Sequence, residues 1–240
     1  MSVANLAKWG LALGLLALSF LNASWIAADP QGALQLVAAH SEDKNGCATL
    51  GGLQRALIDA GGGVVLDMDS AKGCLSAETA IEQFPRYRFI LKTSDAEKTL
   101  AMFARLKEPI DERYGFVGDA ATVAAIRAKA PGAWAWTIAD GRRCFADYVK
   151  LGWFGLTPKS CRDGTIIVPL DGKWKVAGWP RRFLARMKAA NTHVILAGPG
   201  TPENTIPGLT RLEEIPEVPR DYTGMLWLDE PRLIGPSIRR

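Results

Sequence analysis

The 240 residues, 48% hydrophobic and 22% charged, suit one large domain with a real core or two small ones. With 29 basic against 25 acidic residues the net charge is +4, too mild for a nucleic-acid surface. Histidine occurs only twice and no cysteine pair has C-x-x-C spacing, which argues against a zinc site.

From Trp9 to Ala28 (WGLALGLLALSFLNASWIAA) no residue is charged. A helix of that length spans about 30 Å, the hydrocarbon thickness of a bilayer. Trp9 and Trp25 stand near its two ends, where interfacial aromatics belong. Lys8 precedes the run, and Asp29, Glu42 and Asp43 follow it. The positive-inside rule then leaves the rest of the chain on the periplasmic or exterior side of an inner membrane. A cleaved signal peptide is the rival reading, but it wants an A-x-A-like site. Leu21 before Ala23 and Ile26 before Ala28 give none. Residues 1–30 are therefore expected to be an uncleaved transmembrane anchor, and residues 31–240 the folded domain. Disulfides are allowed outside the cytoplasm. Cys47, Cys74, Cys144 and Cys161 admit three pairings. Closeness in sequence favours Cys144–Cys161 and Cys47–Cys74, against the alternative of four buried thiols.

After the anchor, short apolar runs alternate with helical patterns. Strands are expected at Leu34–Ala39, Gly63–Asp67, Tyr87–Leu91, Tyr114–Val117, Ala133–Thr137, Thr165–Val168, His193–Ala197 and Gly224–Leu228. Helices are expected over LGGLQRALIDA, SAETAIEQF, DAEKTLAMFARLK, DAATVAAIRAKA, GRRCFADYVKL and WPRRFLARMKAA. Asp119 is an N-cap for the fourth of these, and Pro131-Gly132 stops it. Arg181, Arg182, Arg186 and Lys188 read as a solvated face of the last. The segment Gly152–Gly164 reads as a loop, and Gly198–Thr223, rich in proline and glycine, as a long loop with at most one short helix. That long loop is either a lid or a plain surface crossing.

Continuous apolar strands separated by helices predict a parallel sheet. Eight such units predict a small (β/α)8 TIM-barrel-like α/β fold with one N-terminal transmembrane helix. A doubly wound sheet is the alternative, but no glycine-rich phosphate fingerprint follows the first strand. Active sites of such barrels lie at the C-terminal ends of the strands. His40 ends the first strand, Asp67 and Asp69 the second and Lys92 the third. Asp119, Asp140, Lys173, Trp174, Asp229 and Glu230 follow later strands. One histidine, several carboxylates and a lysine suit a divalent metal and a phosphate. Period-two spacing puts Asp67 and Asp69 on one face, as metal ligands or as a loop-capping pair. Trp134 and Trp136 point the same way and read as barrel lining. Trp153, Trp174 and Trp179 are placed on the mouth side, as a rim towards lipid or, preferably, packed under a loop.

VAAH closing the first strand resembles the start of the glycerophosphodiester phosphodiesterase family, whose first strand ends in His-Arg-Gly. ALIDAGGGVVLDMDSAKG resembles that family's helix, glycine-rich turn and strand with an acidic-x-Asp pair. FPRYRFILK is similar to its third strand ending in lysine, and MLWLDEP to its last strand. CFADYVKLGWFGLTPKSC to GWPRRFLARM, with LNASW in the anchor, resembles a membrane-anchored bacterial branch. The resemblance implies a phosphatidylinositol-specific phospholipase C-like phosphodiesterase barrel acting on glycerophosphodiesters or phospholipid head groups. It implies His40 as general acid or base, Asp67 and Asp69 as ligands of Ca²⁺ or Mg²⁺, and Lys92 facing the phosphate.

Several family positions differ. Ser41 stands where the arginine belongs, and Cys47-Ala48-Thr49 where Glu-Asn-Thr belongs. The His-Asp pair after strand two is deleted, and Leu91 replaces the acid before Lys92. His193 begins a strand and so faces the other end. One acid–base group contributes about 10²–10⁴-fold in rate, so a weakened hydrolase is expected. The alternative is an inactive relative that binds a head group or an envelope partner protein.

Overall fold

The structure, a computed structural model, describes residues 3–23, 34–39, 48–69 and 74–238. Helix α1 (Val3–Asn22) leads into eight strands, seven of them followed by an α-helix. The strands are β1 (Gln35–Ala38), β2 (Gly63–Asp67), β3 (Arg88–Lys92), β4 (Tyr114–Val117), β5 (Trp134–Trp136), β6 (Thr165–Pro169), β7 (His193–Ala197) and β8 (Met225–Leu228). Between them lie α2 (Leu50–Ala60), α3 (Ala77–Gln83), α4 (Ala96–Leu106), α5 (Ala120–Lys129), α6 (Ile138–Leu151) and α7 (Arg181–Ala189), and α8 (Pro231–Ile238) closes the chain. The sheet order is β5-β4-β3-β2-β1-β8-β7-β6, and every pairing is parallel. This is a nearly closed (β/α)8-type barrel, as the alternation of runs implies.

The helices start where side chains replace the missing carbonyl partners of their first amides. Thr49 accepts from Gly52 N, Ser76 from Thr79 N, Asp95 from Lys98 N, Asp119 from Thr122 N and Thr137 from Asp140 N. Their apolar stripes meet the outward faces of the strands in one core. The inward faces make a second core of Val37, Ile90, Trp134, Trp136, Ile195 and Trp227 among others. Trp134 and Trp136 thus line the barrel. Space for these bulky groups comes from glycine: a Cβ on Gly115 would lie 2.6 Å from the Trp134 ring.

Strands β5 and β6 are not paired with each other, and side chains bridge the seam. Trp134 Nε1 donates to Thr165 Oγ1 at 2.8 Å. Arg127 Nη2 donates to Ala135 O at 2.5 Å and to Asp163 O at 3.1 Å. The disulfide Cys144–Cys161 ties α6 to the segment entering β6, as closeness in sequence suggests. Cys74 is disulfide-bonded too, whereas Cys47 lies outside the described residues.

The uncharged N-terminal run is helical as far as Asn22; the expected continuation through Trp25 to Ala28 lies outside the described residues. Among those residues no helix is long and apolar enough to cross a membrane. The end of α1 docks on the barrel: Asn22 Nδ2 donates to Trp153 O at 2.8 Å, and Arg186 Nη2 to Leu21 O at 2.8 Å. A guanidinium on the last carbonyls of a helix is favoured by their partial negative charge.

The tryptophans after the later strands are distributed differently from the expectation. Helix α6 runs antiparallel to β5, so Trp153, just after it, lies at the N-terminal end of the barrel and not at the mouth. Trp179 stacks on Tyr222, which precedes β8, at 5.4 Å between centroids, so it also packs at the N-terminal end. Trp174, directly after β6, remains at the mouth end and is exposed.

Candidate functional site

The C-terminal ends of β1, β2 and β3 stand side by side, because β2 pairs with both neighbours. Asp67 and Lys92 are in register across β2 and β3, and alternation turns both inward. Their side chains form an ion pair, Lys92 Nζ to Asp67 Oδ2, at 3.4 Å. Asp67 Oδ1 accepts the Asp69 amide at 2.8 Å. Asp69 Oδ2 accepts the Ser94 amide at 3.0 Å. Both aspartates therefore hold the β2 and β3 loops in place. The structure brings Asp67, Asp69 and Lys92 together; His40, the residue expected to act with them, lies outside the described residues, as do Ser41, Glu42 and Asp43.

A hard cation such as Ca²⁺ takes six to eight oxygens, and Mg²⁺ six. Among the described residues no group of three His, Cys, Asp or Glu side chains gathers to hold a metal. Asp67 and Asp69 alone do not make such a site, and each already accepts a backbone N–H.

The remaining polar residues at the mouth have local work. Asp119 caps α5 through the Thr122 amide at 2.7 Å, and that bond holds its carboxyl below the usual carboxylate range. Asp140 accepts from Thr137 Oγ1 at 2.8 Å. Lys173 pairs with Glu217 at 2.6 Å. Asp229 Oδ2 accepts the Gly208 amide at 2.8 Å. Thr49, standing where the family has a Glu-Asn-Thr threonine, caps α2. Leu91 is buried in the outer core, so the position before Lys92 contributes nothing to the mouth.

The loop over 198–223 is anchored on the barrel at several points. Its one short helical segment is a 3-10 turn, Leu212–Glu217. Leu209 is fully buried and bonds along β8, donating to Trp227 O at 2.8 Å and accepting from Asp229 N at 3.1 Å. Ile206 packs on the barrel interior, which narrows the way in from the mouth.

One group expected only as barrel lining has a polar edge in this interior. Trp136 Nε1 is buried and has no hydrogen-bond partner among the described residues. An indole N–H is a donor only, so it suits an oxygen of a ligand. The signal for it in the sequence is its place at the C-terminal end of a predicted strand.

His193 lies at the opposite end, as its place at the start of a strand implies. Its ring stacks on Trp134 at 4.1 Å. Burial, then the charge of Arg88, lowers its pKa to about 4. It is a neutral structural imidazole and does not replace a second histidine at the mouth. Comparison with known proteins adds no neighbour: no family model, curated protein or solved structure matches the chain.

Proposed function

We propose that the chain is a degenerate glycerophosphodiester phosphodiesterase-type protein, held at a membrane by its N-terminal segment. In this reading residues 31–240 form the phosphodiesterase-like barrel, on the periplasmic or exterior side of an inner membrane. The mouth takes a phosphodiester, a glycerophosphodiester or phospholipid head group, and hydrolyses it slowly. The observation that carries the reading is the Asp67–Lys92 pair with Asp69, at adjacent strand ends beside the strand that His40 follows. His40 would move the proton at the phosphodiester, and Lys92 would balance phosphate charge. A bound Ca²⁺ or Mg²⁺ would polarise the phosphoryl oxygen, with Asp67 and Asp69 among its oxygen donors.

The second reading, an inactive relative that binds a head group or an envelope partner, is favoured by one observation. Lys92 neutralises Asp67, and backbone amides occupy Asp67 Oδ1 and Asp69 Oδ2, so the carboxylates serve the loops before they serve a cation.

Hydrolysis of glycerophosphocholine and an aryl phosphodiester by the full chain in detergent, with Ca²⁺, Mg²⁺ or chelator, separates the two. The hydrolase reading expects metal-dependent turnover that His40→Ala lowers about 10²–10⁴-fold. Turnover equal in wild type and variant would end it. Binding of the diester without turnover would select the second reading.

A further inference from the structure

The N-terminal end of the barrel carries an apolar surface that the proposed chemistry does not use. After α6 the chain runs LGWFGL, and here Trp153 is 44% exposed, Phe154 61% and Leu156 56%. Large aromatic and aliphatic groups side by side in water are unusual on a lone domain and mark a contact surface. This one is continuous with the end of α1. Asn22 bonds to the carbonyl of Trp153, and Leu21 Cδ2 lies 3.9 Å from a Cβ built on Gly155. Arg186 joins the two segments, donating to Leu21 O at 2.8 Å and to Gly152 O at 2.9 Å.

Among the described residues, helix α1 meets the barrel at this end and exposes Trp9, Leu13, Leu15, Leu16 and Phe20 along its length. A helix apolar on all sides belongs in a core or in lipid, and neither core of this barrel includes it. Where it joins the domain, the neighbouring surface is Trp and Phe, the residues that favour the membrane–water boundary. Helix α7, which supplies Arg186, contains four basic residues and no acid, although Arg181 pairs with Asp221 at 2.9 Å; a basic helix suits a surface of anionic head groups.

We infer that Trp153, Phe154 and Leu156 form a second membrane contact beside α1, so that the barrel rests on the bilayer with its N-terminal end down. This rests on the proposed membrane attachment. The strand ends bearing Asp67 and Lys92 then face away from the lipid.

The test uses the full chain in vesicles of phosphatidylglycerol and phosphatidylethanolamine. Phe154→Cys carries an environment-sensitive fluorophore; Glu97→Cys, exposed at the mouth end of α4, carries the same probe as the control. No described cysteine is free to compete for label. The expected result is a blue-shifted emission at 154, quenched several-fold more strongly by lipid-borne nitroxides than at 97. Water-like emission at 154 from protein that floats with the vesicles would overturn the inference and leave the attachment standing. A label at 154 shielded from water but untouched by lipid nitroxides would assign the surface to a protein, a second copy included, and also overturn it. Protein that does not float with the vesicles would refute the attachment and the inference together.

Discussion

His193 shows how one residue links sequence position, packing and pH. It opens β7, points inward by alternation, and is sandwiched against Trp134 with Arg88 nearby. Taking an imidazolium out of water next to a guanidinium is unfavourable, so the folded state holds it neutral. Its folded pKa of about 4 lies below the usual 6.5. Between those values the unfolded chain binds the proton and the folded chain does not. Stability from this group is thus complete above pH 6.5 and falls as the pH drops towards 4, by about 3 kcal/mol in all. Urea unfolding of wild type and His193→Gln, each from pH 7 to 4.5, checks this. The wild-type curve should fall more steeply than that of the variant; parallel curves would mean the imidazole is charged in the fold. At the mouth, by contrast, Asp119 turns out to be a helix cap, and Asp140 lies in the first turn of α6 and accepts from the capping Thr137 hydroxyl. The sequence marks Asp119 as an N-cap, and its position after β4 also makes it a mouth residue; the Thr122 amide shows which use it has.

At the scale of elements, the seam between β5 and β6 is the weak side of the barrel. Strand β5 has three residues and one hydrogen-bonded neighbour. Arg127 spans the gap with one nitrogen on two carbonyls, Ala135 O and Asp163 O. Bonds from a charged donor contribute about 1.5–3 kcal/mol where the acceptor would otherwise be buried and unmet. Arg127→Met is expected to lower stability by about that much in urea and to speed hydrogen exchange around β5. A loss under about 0.5 kcal/mol, the range of an ordinary surface change, would show that the seam does not depend on it. Most elements were legible because each carries its own period and stop signal: Gly63–Asp67, Tyr114–Val117 and His193–Ala197 form strands with the expected bounds. Helix α8 was not legible. PRLIGPSI contains Gly235 and Pro236, which read as breakers, yet Gly235 is what lets α8 lie on α2: a Cβ there would stand 2.0 Å from Asp59 O. The end assignment of Trp153 and Trp179 failed for a related reason. Which end a loop serves depends on how its helix runs, and the segment over 175–180 crosses to the N-terminal end before α7 begins. The site was legible as strand-end positions, but not its pairing, since whether Asp67 meets a metal or Lys92 depends on register across β2 and β3.

For the whole molecule, the question is how far the barrel depends on α1. Both apolar cores consist of residues from β1 onward. Among the described residues the polar links to α1 are few: Asn22 to Trp153 O, and Arg186 to Leu21 O and Asn22 Oδ1. When α1 is removed Arg186 retains Tyr148 Oη at 3.0 Å and Gly152 O at 2.9 Å. It also becomes open to water, which replaces the lost carbonyl, so the net loss should be about 1–2 kcal/mol. That is small against the stability of a domain this size. A chain of residues 31–240 is therefore expected to unfold in one cooperative transition, slightly earlier than the full chain. Its solubility should depend on the exposed Trp153–Leu156 segment, because removing α1 leaves that surface with no apolar neighbour. Urea denaturation followed by tryptophan fluorescence measures the first expectation, and light scattering of the fragment with Phe154→Ser measures the second. If the fragment shows no cooperative transition, α1 contributes to the fold itself, and the division at residue 30 into attachment and barrel is wrong. If it folds and Phe154→Ser reduces its association, the barrel is self-sufficient and its N-terminal end is the adhesive one.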